Sequence, residues 1–577
     1  MGIKNHLEVE NKTGKAWILF LCFSCSLLFV NAQQAENKDW WKSTTVYQIY
    51  PRSFYDTNGD GIGDIKGIIE KLDYLKNLGY ETIWISPFTE SPQRDFGYDI
   101  SNYTAISPQY GTMQLFDTLL QQVHKRGMKL IFDLVMNHTS DQHEWFKESA
   151  SSRTNPKADW YVWKNGKGKN GTKRPNNWRA MSGNWAWTYS PERKQFYYNA
   201  FLPFQPDLNY NNPAVKEAMF NVARFWLNKG VDGFRLDIIS AIYEDSLLRN
   251  NPPSGRLTPS DKSLTIFFQH VKNNFLQEKS FSFSTELRQV TDEYTNSKRV
   301  LVGESHGAEK TLRRFCLDAG KPGLDMVFMF NAISMPFKAK KYHKMIENFE
   351  QYFAEPLMPT LVFSNHDRTR TITRLGGSVA KRKLQTLFQF TARGVPFTYF
   401  GEEIGIPKVR IPLKQGQDAI AIQNKKLPQG LVDLSKETLN RDECRTPMLW
   451  NNSANAGFCS PEAKPWLPTA KSYAEINVET QESDSNSLLN FYRNILHLRS
   501  KTPALQDGTF ELAKNLCSNK ILAYYRTLRN EKYLVVLNMS KSKVKNKISG
   551  GKQLISTHRN SENTTLLPYE GKLIKIE

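Results

Sequence analysis

The sequence predicts an α/β protein: a (β/α)8 TIM barrel with a loop-rich insertion after strand 3 and an all-β domain at the C-terminal end. Three observations carry that prediction. Short apolar runs rich in β-branched and aromatic residues alternate with longer amphipathic stretches over roughly 450 residues, which implies a parallel sheet, most commonly a closed barrel. One connection, from about Thr139 to Pro206, breaks the alternation and turns polar, Trp-rich and dense in Gly, Asn, Lys and Pro. Beyond about residue 501 the pattern changes to short alternating runs, such as Lys520–Tyr525 and Lys532–Asn538.

In chain order, residues 1–32 read as a signal peptide. Lys4, Lys12 and Lys15 precede an apolar run from Ala16 to Val30, and Val30-Asn31-Ala32 is small enough for signal-peptidase cleavage. The run suits a signal-peptide core and falls short of the roughly 20 residues a spanning helix needs. A secreted, extracellular protein is therefore expected. The polar stretch ahead of the run is long, which keeps a type II membrane anchor as the alternative. Residues 38–138 form the first part of the barrel, with strands at Thr45–Tyr50, Thr82–Ser86 and Lys129–Asp133 and helical patterns at Gly67–Leu78 and Leu115–Arg126. Residues 139–206 form the insertion, read as loop and not helix. Residues 207–500 complete the barrel, with strands at Val231–Asp237, Val300–Glu304, Leu361–Asp367 and Phe397–Glu402. They include a helix over Val215–Lys229 whose apolar face carries Val215, Met219, Val222, Phe225 and Trp226. Residues 501–577 form the C-terminal β-domain.

At 577 residues, 40% hydrophobic and 23% charged, the chain has the composition of a soluble protein of more than one compact unit. Its formal charge is +20, of which residues 1–32 contribute +1, three Lys against Glu8 and Glu10. No basic helix, zinc-ligand spacing or nucleic-acid motif accompanies the charge, so it reads as a solvated Lys-rich surface with no nucleic-acid partner. Outside the N-terminal segment there are four cysteines, too few for a disulfide scaffold in a chain this long. Cys444 and Cys459 are near enough in sequence to pair, which spacing alone does not establish. Sequons at Asn102, Asn170, Asn451, Asn538 and Asn563 are compatible with glycosylation; Asn137 heads another but lies in a strand-end motif.

In a (β/α)8 barrel the active site lies at the C-terminal ends of the strands. Here the strand ends read Asp133-Leu-Val-Met-Asn137-His138, Gly233-Phe-Arg235-Leu-Asp237, Leu301-Val-Gly-Glu304 and Phe363-Ser-Asn365-His366-Asp367. Carboxylates thus close successive strands, accompanied by two histidines and an arginine. Breaking a glycosidic bond needs a proton for the leaving oxygen and a second carboxylate to meet an oxocarbenium-like sugar, and this ordered set supplies both.

The segments DLVMNH, GFRLD, LVGE and SNHD resemble four motif regions of the α-amylase superfamily of glycoside hydrolases (family 13). FQPDLN at Phe204–Asn209 resembles a fifth, as found in the oligo-1,6-glucosidase and α-glucosidase branch. VYQIYPRSF, NGDGIGDIKGI, FGYDISNY, YFGEEIG and RTPMLWNNSANAGF resemble that branch as well. The resemblance spans roughly residues 40–577 and is weakest over the last seventy or so. It implies a retaining, exo-acting α-glucosidase of maltase or sucrase type, with Asp237 as nucleophile, Glu304 as acid/base and Asp367 holding the sugar hydroxyls. It further implies that Arg235 keeps Asp237 ionised, that His138 and His366 donate to the glucose and that Tyr98 stacks under its ring. Asp95 would pair with Arg445, with Arg441 the other candidate, and close the far end of the pocket. The run Asp56, Asn58, Asp60, Ile62 (through its carbonyl) and Asp64 resembles the first half of an EF-hand loop and implies one structural Ca²⁺, although Gly67 stands where an EF-hand has its last acid.

Departures from the branch bear on substrate, not reaction type: Ile238 after the nucleophile, Ser305 and His306 after the acid/base, and Leu449 in place of a common Gln. The expected partner is a small α-glucoside such as maltose or sucrose, with no organic cofactor. The alternatives are a sucrase or transglucosidase that forms isomers or oligosaccharides, and a non-catalytic, membrane-anchored transporter heavy chain on the same barrel.

Overall fold

The computed structural model describes Met1 and residues 39–256, 264–434, 439–545, 548, 550–559, 561 and 565–576. The signal-peptide reading beyond Met1 and the sequon at Asn563 lie outside the described residues.

Eight parallel strands form a nearly closed barrel: β1 Val46–Ile49, β2 Thr82–Ile85, β3 Lys129–Leu134, β4 Gly233–Leu236, β5 Val300–Gly303, β6 Met326–Val327, β7 Thr360–Val362 and β8 Val395–Tyr399. Their order is β6-β5-β4-β3-β2-β1-β8-β7. Nearly every strand residue is buried, as expected where helices cover a parallel sheet. The seam between β6 and β7 has no backbone ladder. It is bridged by the Thr360 hydroxyl, which donates to the Val327 carbonyl at 3.1 Å and accepts from the Met329 N–H at 3.0 Å. Strand β6 was not legible in the sequence, because its two residues are too few to show a period.

The helix at Pro213–Lys229 shows why the helical segments begin and end where they do. The Asn212 side chain accepts from the Ala214 N–H, proline opens the first turn, and Gly230 at φ 101° closes the last. Val215, Met219, Val222 and Trp226 are buried against the barrel, whereas Phe225 is only half-buried.

The insertion after β3 departs from the expectation of loop alone. It contains a helix, Glu144–Ser151, capped by the His143 ring. It also contains a three-stranded antiparallel sheet of Trp163–Lys164, Gln195–Tyr198 and Trp187–Ser190. Trp178, Trp187 and Tyr198 give it a small apolar core, and Trp163 joins the main barrel core. A second excursion, after β4, packs onto that core through Ile266, Val271 and Phe275.

At the C-terminal end, β9 Thr509–Leu512, β10 Ile521–Leu528, β11 Glu531–Asn538, β12 Lys552–Ser556 and β13 Gly571–Ile576 form an antiparallel sheet in the order β9-β10-β11-β13-β12. Buried Arg526 fastens it to the barrel side by donating to the carbonyls of Thr391 at 2.7 Å and Leu505 at 3.0 Å.

Cys316, Cys444, Cys459 and Cys517 are all free thiols, so Cys444 and Cys459 are not paired. Asn102 and Asn170 are exposed. Asn538 is fully buried, and its amide donates to the carbonyls of Ser542, Leu566 and Leu567, which rules it out as a glycan acceptor in the folded chain. Among the described residues no helix is long and apolar enough to cross a membrane.

Candidate active site

Arg235 is the hub of the barrel mouth. It projects from β4, is 1% exposed, and hydrogen-bonds three carboxylates from three neighbouring strand ends. Nη1 donates to Asp133 at 2.9 Å and to Asp237 at 2.9 Å, and Nη2 pairs with Glu304. Asp237 and Glu304 therefore sit on the two terminal nitrogens of one guanidinium. Asp133 also accepts from the indole of Trp84 at 2.5 Å.

One cation serves three acids, and their protonation follows from that ratio. Burial lifts the Asp133 carboxyl to about 6, against the opposing pull of Arg235. Burial likewise raises Asp237 well above the ordinary aspartate value. Arg235 lowers it, while the charges of Glu304, Asp133 and Asp367 add to the rise. Arg235 does lower Asp237, as expected of a neighbouring cation, but the net direction is upward. The guanidinium is too widely shared to offset desolvation and two adjacent acids.

Asp367 behaves in the opposite sense. Its Oδ1 accepts from Arg445 at 2.8 Å and from Arg441 at 3.2 Å, and its Oδ2 lies 3.3 Å from Nε2 of His366. Burial acts to raise it, but His366, Arg441 and Arg445 together bring it well below the ordinary range. Its side chain is 27% exposed, against 12% for Asp237 and 10% for Glu304, so all three open onto the mouth.

His366 is neutral, because burial lowers its pKa to about 3 despite the opposing charge of Asp367. Gln48 on β1 donates to Nδ1 at 2.8 Å, which leaves the proton on Nε2, 2.6 Å from the Tyr98 hydroxyl. That hydroxyl passes the chain on to Asp133 at 2.6 Å. Both ring nitrogens of His366 thus have protein partners. The Tyr98 ring lies against His366, centroids 5.4 Å apart and 8° from parallel, and the residue is 5% exposed. His138 is also buried and neutral, its pKa lowered to about 4 by desolvation, and its Nε2 has no hydrogen-bond partner among the described residues. A buried polar atom left open in this way is what a ligand hydroxyl would satisfy.

The expected Asp95–Arg445 pair is not formed. The one-turn helix Arg441–Cys444 brings both guanidinium groups onto Asp367, and Arg441 is the one that reaches on to Asp95, at 2.6 Å. Arg445 instead donates its Nε–H to the His366 carbonyl at 2.8 Å. Gln205, in the FQPDLN segment, holds the other oxygen of Asp95 at 3.0 Å. Fully buried Asp418 anchors Arg441, accepting from its Nη2 at 2.6 Å, its Nε at 3.0 Å and its backbone N–H at 3.0 Å.

Sequence reading passed over Gln48, Asp133, Gln205 and Asp418. The first two carried a signal, being polar residues within otherwise apolar strands, where burial demands a partner. Asp418 carried none, since its loop has no periodicity and its partner lies 23 residues away.

Ile238, directly after Asp237, adopts φ 35°, a left-handed conformation rare for a β-branched residue. The Ile239 N–H bonded to the Glu304 carbonyl at 2.9 Å helps hold it there, as does its side chain, 3% exposed in the apolar core of the insertion. His306 is buried beside Phe330, ring centroids 6.2 Å apart.

The residues of the loop Asp56–Asp64 hold one another. Asp56 accepts from the N–H groups of Asn58, Gly59 and Gly61, Asp60 from Ile62, and Asp64 from Thr57 and Gly67. Among the described residues no three His, Cys, Asp or Glu side chains are gathered as a metal site.

Residues 48–508 match the family profile described as "Alpha amylase, catalytic domain". The oligo-1,6-glucosidase of Parageobacillus thermoglucosidasius is 38% identical over 87% of this chain and 90% of its own length. The salivary alpha-glucosidase of Anopheles gambiae is 36% identical over 87% of this chain and 84% of its own. Among solved structures, the trehalulose synthase MutB from Pseudomonas mesoacidophila superposes with a TM-score of 0.83 at 32% identity, covering 93% of this chain and 99% of that one.

Proposed function

The chain belongs to the α-amylase family of glycoside hydrolases, in its oligo-1,6-glucosidase and α-glucosidase branch, and on that premise we propose that it is a retaining, exo-acting α-glucosidase. The observation that carries this reading is the sharing of Arg235 by Asp237 and Glu304. One guanidinium cannot balance Asp133, Asp237 and Glu304 together, so the cluster retains a proton. The role of proton donor falls to Glu304 from its place at the end of β5, beside Asp237 on the same guanidinium.

In the first step an oxygen of Asp237 bonds to the anomeric carbon as the bond from that carbon to the glycosidic oxygen breaks, and Glu304 gives the departing glycosidic oxygen its proton. In the second, Glu304 takes a proton from water, whose oxygen bonds to the anomeric carbon and releases Asp237. Two inversions give net retention, for which the two carboxyls must stand about 5–5.5 Å apart. Asp367, kept ionised by its arginines, accepts from glucose hydroxyls; His138 offers its open Nε2; and Tyr98 lies under the ring. The Arg441–Asp95 pair, backed by Gln205, walls the far end, which leaves room for one terminal glucose.

The test is the anomer released from maltose, followed by NMR before mutarotation. Release of α-glucose supports the reading, and β-glucose overturns it. A second reading, glucosyl transfer to a sugar acceptor, is favoured by the likeness to a trehalulose synthase and uses the same covalent intermediate. Chromatography of products from sucrose separates the two: free glucose and fructose indicate hydrolysis, and an isomeric disaccharide indicates transfer. No turnover of any α-glucoside would favour the transporter heavy chain.

We also propose that residues 1–32 are removed on secretion, tested by the N-terminal sequence of the mature protein. Uptake of one Ca²⁺ by Asp56, Asn58, Asp60, Ile62 and Asp64 is proposed as well. The alternating oxygen donors support it. The loop carboxylates are engaged by backbone N–H groups, so binding requires their remaining lone pairs to turn toward the ion.

A further inference from the structure

The insertion carries an unbalanced positive face. Between Asp159 and Glu192 the chain holds Lys164, Lys167, Lys169, Lys173, Arg174 and Arg179 and no acidic residue. The four lysines and Arg174 are exposed, and none of the six makes an ion pair with a described residue.

Two local features make this more than a solvated surface. Lys167 and Lys173 face each other across an antiparallel bridge closed by both backbone hydrogen bonds, at 2.7 and 3.0 Å. Like charges placed directly opposite on such a ladder repel, and the hairpin contains no carboxylate to relieve them. Beside it, the guanidinium groups of Arg174 and Arg179 lie 4.8 and 3.7 Å from the ring centroid of Trp185. Trp185 is itself 37% exposed. Burial and the neighbouring charge of Arg174 both lower the pKa of Arg179. Two cations are thus held on one ring with no anion to offset them, a site that an added anion would stabilise.

We propose that this hairpin, residues 164–174 with Arg179, is a docking surface for a linear sulfated polysaccharide. The chemistry of the ridge selects that partner. Its exposed residues are Lys, Arg, Asn, Gly and Thr, with no apolar side chain to enter a bilayer. Of the exposed rings beside it, Trp185 is covered by arginine and Tyr189 packs edge-on against Phe196, so neither is set out to stack a base. What remains is a row of cations, which suits a polyanion bound through sulfate groups alone.

The test measures binding of the full chain to a fluorescent heparin oligosaccharide at about 0.15 M salt, where screening still leaves clustered charges effective. Two variants are compared. One carries Lys164→Ser, Lys167→Ser, Lys169→Ser and Lys173→Ser. The other removes four exposed lysines elsewhere, Lys338→Ser, Lys340→Ser, Lys341→Ser and Lys344→Ser, with the same change in net charge. At about fivefold per lysine, the hairpin variant should bind roughly six-hundredfold more weakly. It should hydrolyse small α-glucosides as the parent does, which also shows that it folds. Equal losses in the two variants would reduce the effect to net charge and overturn the proposal. Absence of binding by the parent chain, or equal binding of phosphatidylserine vesicles or single-stranded DNA at the hairpin, would overturn it too. Because hydrolysis is read separately, failure here leaves the glucosidase reading standing.

Discussion

On one side of the barrel mouth a single buried guanidinium, Arg235, is divided among Asp133, Asp237 and Glu304. On the other, Asp367 receives two, from Arg441 and Arg445. Burial is the largest influence on both Asp237 and Asp367 and acts upward on each, yet the two carboxyls shift in opposite directions. The ratio of cations to acids decides the outcome. The pocket therefore has one side whose carboxyls, Asp133 and Asp237, are raised and another, Asp367, that stays ionised.

The comparison breaks most severely if the acids are removed. Asp237→Asn should lower kcat on maltose by about four orders of magnitude or more, since no neighbouring group can form the glucosyl ester. Residual turnover within about a hundredfold of the parent would refute the assignment. Asp418→Asn tests the ionised side at one remove. With its anchor weakened, Arg441 holds Asp95 and Asp367 less firmly, so KM should rise roughly tenfold with a smaller change in kcat. Asp418→Glu should restore part of the loss.

The pH profile sharpens the same contrast. Asp237 must be ionised to attack, and its pKa is raised, so kcat/KM should fall as pH drops through a value above the ordinary aspartate range of about 3.9. Asp133→Asn removes one of the neighbouring charges that raise Asp237 and should move that acidic limb to lower pH. A shift to higher pH would contradict the charge-ratio argument. The smallest effect expected is from calcium: EDTA should lower the melting temperature, by about 1 °C per kcal/mol of lost stability in a chain this size. No change would exclude a bound ion at residues 56–64.

Much of this was written plainly in the chain. The barrel, its insertion and its C-terminal sheet followed from periodicity, and the acids at the strand ends followed from motif and position. What escaped depended on distance or brevity. Strand β6 is two residues long, and the helix Glu144–Ser151 lies in a stretch whose composition resembles loop. Arg441 and Arg445 are four residues apart on one turn, so sequence could not say which reaches Asp95. The pKa of Asp237 depends on how many acids share Arg235, a count that exists only after folding. Asn538 shows the converse, a sequon legible in sequence and buried in the fold.

The most direct test of the central claim is to trap the intermediate. The protein is quenched during turnover of a fluorinated α-glucosyl substrate that slows the second step, and the labelled peptide is located by mass spectrometry. One sugar ester on Asp237 is the predicted result. A label on Asp367 or Glu304 would contradict the account, as would steady turnover with no covalent adduct.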